Sequence, residues 1–164
     1  SLHHRDPGPL GAIFERSDVT VQAITDGVHI HPSVLRLAFA AMGPSRFITI
    51  MDGMQALGLP DGRYVYNGIP YETRNGAARY KDGTLIGTAV GLNRMLARLV
   101  GFTGCSVATA IRTVTENAAS VLGRAKTTGS IQTGYDADLV LLDEDLSVYA
   151  TVVGGRIVYR RESD

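Results

Sequence analysis

A single cysteine, Cys105, is all the thiol chemistry this 164-residue chain has, so no internal disulfide framework can form. That usage fits a reducing compartment. Cys105 sits between Gly104 and Ser106 with no histidine beside it, so it reads as a buried bystander rather than a nucleophile. Net charge is missing too. Sixteen Lys and Arg balance sixteen Asp and Glu, leaving no global field to recruit nucleic acid or an anionic membrane. A bound phosphate would have to be met by local residues. Long apolar runs are also lacking: the most apolar stretch, residues 34–42, is broken by Arg36 and is far shorter than the roughly 20 residues of a membrane span. No secretory signal opens the chain, and a cytoplasmic location is the default expectation. Nor is there a GxGxxG, a Walker loop, a CxxC pair or an HExxH. Finally, no methionine stands first. Ser1-Leu2-His3-His4-Arg5-Asp6-Pro7-Gly8 reads as a loop already under way, which predicts further sequence upstream.

What is present is ordinary globular material, 45% hydrophobic and 20% charged. The length suits one compact core but falls short of a complete parallel barrel, which takes about 250 residues. Residues 19–24 and 47–51 are short apolar strands. Between them Pro32 and Ser33 open a helix whose stripe is Leu35, Ala38, Phe39 and Met42, ended by Gly43-Pro44. Strand, helix, strand in this order suggests a parallel crossover unit. Residues 64–83 then change character: Asn67-Gly68, Asn75-Gly76 and Asp82-Gly83 punctuate Tyr-rich strands as hairpin turns do. A helix is expected over residues 88–100, with Leu92, Met95, Leu96 and Leu99 on one face. A second follows from the N-cap Ser106, burying Val107, Ala110, Ile111 and Val114. The tail returns to β structure at residues 139–142, 148–153 and 157–159, with Gly154-Gly155 as a hairpin.

The chemistry gathers at two strand ends. Thr25-Asp26-Gly27-Val28-His29-Ile30-His31-Pro32 closes the first and Met51-Asp52-Gly53 the second, where parallel α/β folds hold their sites. Asp52 lies just past an apolar strand, where an unpaired buried carboxylate would be costly. It can act as a general base toward a water and then as an acid toward a leaving group, or simply serve as a turn acid. His29 and His31 could place two imidazoles on one metal, but Pro32 ends the strand at once, which favours His29 as a substrate-binding or polarising group and His31 as a loop residue. Arg5, on a loop stiffened by Pro7 and Gly8, can clamp a phosphate or be merely exposed. Asp82-Gly83-Thr84-Leu85-Ile86-Gly87-Thr88, expected to lead into a helix, could offer amides to a polar ligand or form a plain turn and cap.

Several of these pieces together resemble the carboxyl-terminal part of the N-acetylglucosamine-6-phosphate deacetylase family, within the amidohydrolase superfamily. His4-Arg5-Asp6-Pro7-Gly8 with Gly11-Ala12 is similar to that family's His-Arg-x-Pro-Gly loop. Asp26-Gly27-Val28-His29 resembles its Ala-Asp-Gly-x-His strand end, with Thr25 in place of Ala. Met51-Asp52-Gly53 stands where Thr-Asp-Ala is usual, and residues 82–87 resemble its substrate-facing loop. Glu116-Asn117-Ala118-Ala119, Leu122-Gly123, Gly129-Ser130-Ile131 and Gly134-Tyr135-Asp136-Ala137-Asp138-Leu139-Val140 are similar to the general amidohydrolase ending.

The resemblance implies an α/β fold. Residues 1–125 would be the late part of a (β/α)8 barrel, with Asp26 and Asp52 closing two strands, and residues 126–164 strands of a small β-sandwich domain. It implies a hydrolase that deacetylates N-acetylglucosamine 6-phosphate to glucosamine 6-phosphate and acetate, with Asp52 as general base and acid. The phosphorylated sugar would be bound by Asp26, Gly27, Val28, His29, Leu85, Ile86 and Gly87. Arg5 would reach its phosphate across a homodimer interface. It also implies a divalent metal, zinc, iron or similar, with a glutamate and two histidines upstream of Ser1 as ligands, so the isolated chain is expected to be inactive. Met51 and Gly53 alter the support of the acid and not the acid itself. Two alternatives remain at this point: an amidohydrolase of other specificity, and a non-catalytic phosphosugar-binding or oligomerising fragment.

Overall fold

Two short strands pair in parallel through a helical crossover, and everything that positions the acids follows from their register. β1 (Val21–Ile24) and β2 (Phe47–Ile50) align Val21 with Phe47 and Ile24 with Ile50. Asp26 and Asp52 each lie two residues beyond an Ile of that last pair, so both carboxylates emerge side by side at the carboxyl edge. The connection is helix α2 (Pro32–Met42), which begins with Pro32 at its first turn and ends at Gly43, φ +72°. The computed structural model describes residues 2–162; residue 1 and residues 163–164, the outer ends of the two expected domains, lie outside it.

One helix was not foreseen. α1 (Gly8–Glu15) starts at Gly8, the last residue of the stretch that reads as loop, and runs on through Pro9 and Gly11, which favour no helix. It buries none of its side chains. Arg46 fastens its end from below, donating to the carbonyls of Arg16, Ile13 and Val19 as well as to Met42. Tertiary hydrogen bonds thus override weak local propensity.

The excursion after β2 is a four-stranded antiparallel meander: β3 (Gly62–Tyr66), β4 (Ile69–Arg74), β5 (Ala77–Tyr80) and β6 (Leu85–Thr88). Its first two turns have positive φ at both central residues, Asn67-Gly68 and Asn75-Gly76, as two-residue hairpins of the primed type require. The expected helix at residue 88 begins later, as α3 (Leu92–Thr103), and residues 85–88 form a strand instead of the lead-in to a helix. Thr88 is the reason. It pairs with Ala77 on one side and bridges Gly53 in parallel on the other, so one strand ladder and one isolated bridge claim it. α4 (Val107–Arg112) starts at Ser106, whose hydroxyl accepts the amide of Thr109 at 3.1 Å, and α5 (Glu116–Val121) follows. The chain ends in a three-stranded antiparallel sheet, β7 (Leu139–Leu142), β8 (Val148–Val153) and β9 (Arg156–Arg160).

The main core joins Ala23, Phe47, Leu35, Leu96, Leu99, Ala110 and Leu146. Phe39 meets Phe47 edge-on at 5.2 Å, an arrangement worth about 0.5–1.5 kcal/mol beyond burial. A smaller core of Ala56, Tyr71 and Ala78 holds the meander together. Within it the Tyr71 hydroxyl is buried with no hydrogen-bond partner among the described residues. An orphaned buried donor costs about 1–3 kcal/mol. Tyr71→Phe should therefore raise stability by about 1 kcal/mol in urea unfolding at unchanged m-value; a loss of stability would show that the hydroxyl has a partner. Among the described residues no helix is long and apolar enough to cross a membrane.

Candidate active site

At the carboxyl edge of β1 and β2, three side chains form a line. Asp26 is buried, its side chain only 1% exposed, and both oxygens are engaged. Oδ1 accepts the backbone amides of Val28 and His29, each at 2.9 Å, and Oδ2 lies 2.6 Å from Nδ1 of His29. These contacts come from the local turn. Gly27, at φ +74°, reverses the chain so that residues 28 and 29 face back onto their own aspartate, and a Cβ there would meet the Phe102 ring at 2.8 Å. Across the gap, Nε2 of His29 stands 3.4 Å from Oδ2 of Asp52.

Burial pushes the Asp26 carboxyl upward, but the hydrogen bonds from His29 and from the amides of His29 and Val28 outweigh it and hold Asp26 below its ordinary range. An ionised Asp26 accepts from Nδ1–H, which fixes the orientation of the ring and presents Nε2 to Asp52.

Asp52 has the opposite environment. Its side chain is 54% exposed, and its backbone sits at φ +56°, a region non-glycine residues seldom adopt. Such local strain, where it persists, is over-determined by the surroundings and gathers at functional positions. Here the surroundings are explicit. The Asp52 carbonyl accepts the amide of Thr88 at 2.9 Å, and Met54 returns a bond to the Thr88 carbonyl at 2.8 Å. Gly87 presses so close that a Cβ would lie 2.8 Å from that carbonyl oxygen. The acid is exposed, yet its backbone is clamped.

The other sequence candidates are placed differently. His31 caps α2, its Nδ1 accepting the amide of Ser33 at 3.2 Å, so it serves the helix and is not turned toward His29 as a metal partner. Arg5 sits in an exposed turn before α1, closed by paired backbone bonds between His3 and Asp6. Leu85 and Ile86 lie half-buried in β6, with Ile86 packed on the meander's core, and Val28 is 40% exposed. Cys105 is half-buried and free. Sequence reasoning missed Arg98, whose Nη1 donates to the Asp26 carbonyl at 2.9 Å. Its spacing from Arg94 reads as a solvated helix face.

These residues do not by themselves make a metal centre. Both Asp26 oxygens are occupied and His31 is a cap. No group of three or more His, Cys, Asp or Glu side chains converges among the described residues. What the line can do is move a proton: an exposed carboxylate beside an imidazole whose far nitrogen is held by a buried carboxylate.

Comparison with known proteins settles the ancestry. The sequence profile described as the amidohydrolase family matches residues 71–158, more than half of the chain. The chain belongs to the amidohydrolase family. It is 38% identical over 164 residues to N-acetylglucosamine-6-phosphate deacetylase of Bacillus subtilis (strain 168), covering 99% of this chain and 41% of that protein. A putative N-acetylgalactosamine-6-phosphate deacetylase of Escherichia coli (strain K12) is 33% identical over 95% of this chain and 93% of its own length. Among solved structures, N-acetylglucosamine-6-phosphate deacetylase from Thermotoga maritima superposes with a TM-score of 0.86 at 34% identity, over 98% of this chain and 44% of that one. This amidohydrolase chain thus spans about two-fifths of the B. subtilis relative.

Proposed function

We propose that the protein containing this chain hydrolyses the acetamide of N-acetylglucosamine 6-phosphate, giving glucosamine 6-phosphate and acetate. The observation that carries the reading is the Asp26–His29–Asp52 line at adjoining strand ends. The names of the B. subtilis and T. maritima relatives support the substrate.

In this reading residues 1–125 are the late part of a (β/α)8 barrel and residues 126–164 belong to a β-sandwich. The parallel β1–β2 pair and its extension through the Gly53–Thr88 bridge support the first, and the antiparallel β7–β9 sheet the second. Asp52 takes a proton from the water that attacks the amide carbonyl and returns it to the departing amine. His29, steadied by Asp26, offers Nε2 toward the sugar's amide, where Asp52 also points. Gly27, Val28, Leu85, Ile86 and Gly87 surround the sugar. The divalent ion implied by family membership, zinc, iron or similar, would draw on ligands other than Asp26, His29 and His31 and would activate the attacking water.

Acetate release from N-acetylglucosamine 6-phosphate by the complete protein, with a divalent salt added, tests the reading. Absence of turnover with this sugar would overturn it. The E. coli relative's name favours one competitor, the epimeric N-acetylgalactosamine 6-phosphate, so both sugars should be compared.

Arg5 is assigned to the phosphate, reaching it from the partner of a homodimer. Its place in an exposed turn closed by two backbone hydrogen bonds, in a chain without net charge, supports this. A charge-assisted contact contributes about 1.5–3 kcal/mol. Arg5→Ala should thus raise KM for the phosphorylated sugar about ten- to hundredfold while leaving that for the unphosphorylated one near its starting value. Equal changes for both sugars would remove Arg5 from the phosphate site.

A further inference from the structure

Arg98 lies on α3, far from Asp26 in sequence, yet its Nη1 donates to the Asp26 carbonyl at 2.9 Å. The described residues give its guanidinium no carboxylate partner. A half-buried guanidinium bonded to one main-chain carbonyl is an unusual use of arginine, which is better suited to bidentate anions. The place it holds explains it. Asp26 is where the chain leaves β1, ahead of the left-handed Gly27, and its carbonyl has no ladder partner. One residue earlier, the Thr25 hydroxyl donates to the Met95 carbonyl of the same helix at 3.0 Å. Two successive residues of the strand end are therefore tied to α3, one as donor and one as acceptor.

We infer that Arg98 is a positioning residue: by holding the Asp26 main chain it keeps the Asp26 carboxylate under His29 and so keeps Nε2 opposite Asp52. Among the described residues Arg98 makes no hydrogen bond or ion pair to His29 or Asp52, and it acts through Asp26. Asp26 has no slack to absorb a shift, because each of its oxygens is already committed. Small displacements of a reacting constellation cost up to about a hundredfold in rate. The activity arm of the test rests on the deacetylase reading, and the spectroscopic arm does not.

In the complete enzyme, Arg98→Met keeps the length of the side chain and removes the donor. We expect kcat to fall about 10–100-fold with little change in KM, while Arg98→Lys retains most of the rate. Arg98→Ala widens an open surface groove that Arg98 lines together with Ala89, Val90, Gly91, Arg94 and Ala97. Guanidinium chloride at tens of millimolar should then restore turnover where sodium chloride does not. Independently of turnover, the proton between His29 Nδ1 and Asp26 Oδ2, atoms 2.6 Å apart, should give a far-downfield NMR resonance. It should vanish in Arg98→Met and persist in Arg98→Lys and Asp52→Asn. Equal behaviour of the Met and Lys variants, or a lost rate with the His29 resonance intact, would overturn the inference. If the sugar is not a substrate at all, the resonance alone decides it.

Discussion

Asp52→Asn should leave the complete enzyme able to bind the phosphorylated sugar and nearly unable to turn it over. The amide keeps the shape of the carboxylate and, with it, the backbone clamp of Thr88 and Gly87, since both act on the Asp52 main chain and not on its side chain. Asparagine also tolerates the left-handed φ of +56° that this position demands. What is lost is the proton acceptor, and a positioned acid–base group typically contributes about 10²–10⁴-fold. Steady-state kinetics with a divalent salt, together with sugar binding by calorimetry, measure the two halves separately. A variant holding more than about a tenth of the parent kcat would show that another group takes the proton.

Asp26→Ala should be the most damaging change to stability near the site. Its removal strands three buried or half-buried donors: the amides of Val28 and His29 and Nδ1–H of His29. At about 1–3 kcal/mol for each unmet group, a loss of 3 kcal/mol or more is expected in denaturant unfolding. The pH dependence has a definite sign. Because folding holds the Asp26 carboxyl below its ordinary range, its contribution is fully present above that range. It fades as pH falls below about 4 and through the lower folded value. The parent should accordingly lose stability more steeply than Asp26→Asn on acidification below that point. Parallel acid profiles for the two would mean that the carboxyl titrates alike folded and unfolded.

Much of this site was legible because its signals are local. An apolar strand that stops at Asp26-Gly27 or Asp52-Gly53 declares where the chain leaves the sheet, and the parallel register then sets the two acids side by side. Pro32 likewise announced that His31 could not continue the strand with His29. The failures share a cause in long-range pairing. Thr88 looks like the start of the helical run that follows it, yet Ala77 and Gly53 draw it into strands. α1 carries glycines and prolines that argue against it, and Arg46 supplies what propensity withholds. Arg98 was invisible for a further reason: one arginine on a polar helix face looks the same whether it meets water or a carbonyl across the molecule.

The paired bonds between Asp52, Met54 and Thr88 join the two ends of everything in residues 54–87. The meander therefore leaves and returns through a closed gate with the acid as one gatepost, and Gly76 and Ala77 bind its middle to the same Thr88. A change of length in the Asn67-Gly68 turn leaves every bond of that gate in place, whereas a change at Gly76 or Gly87 reaches it directly. Because closure entropy rises only about 0.6 kcal/mol for each doubling of a loop, such remodelling is cheap. A chain built this way can take a longer insert at that turn while the backbone of Asp52 stays held as it is.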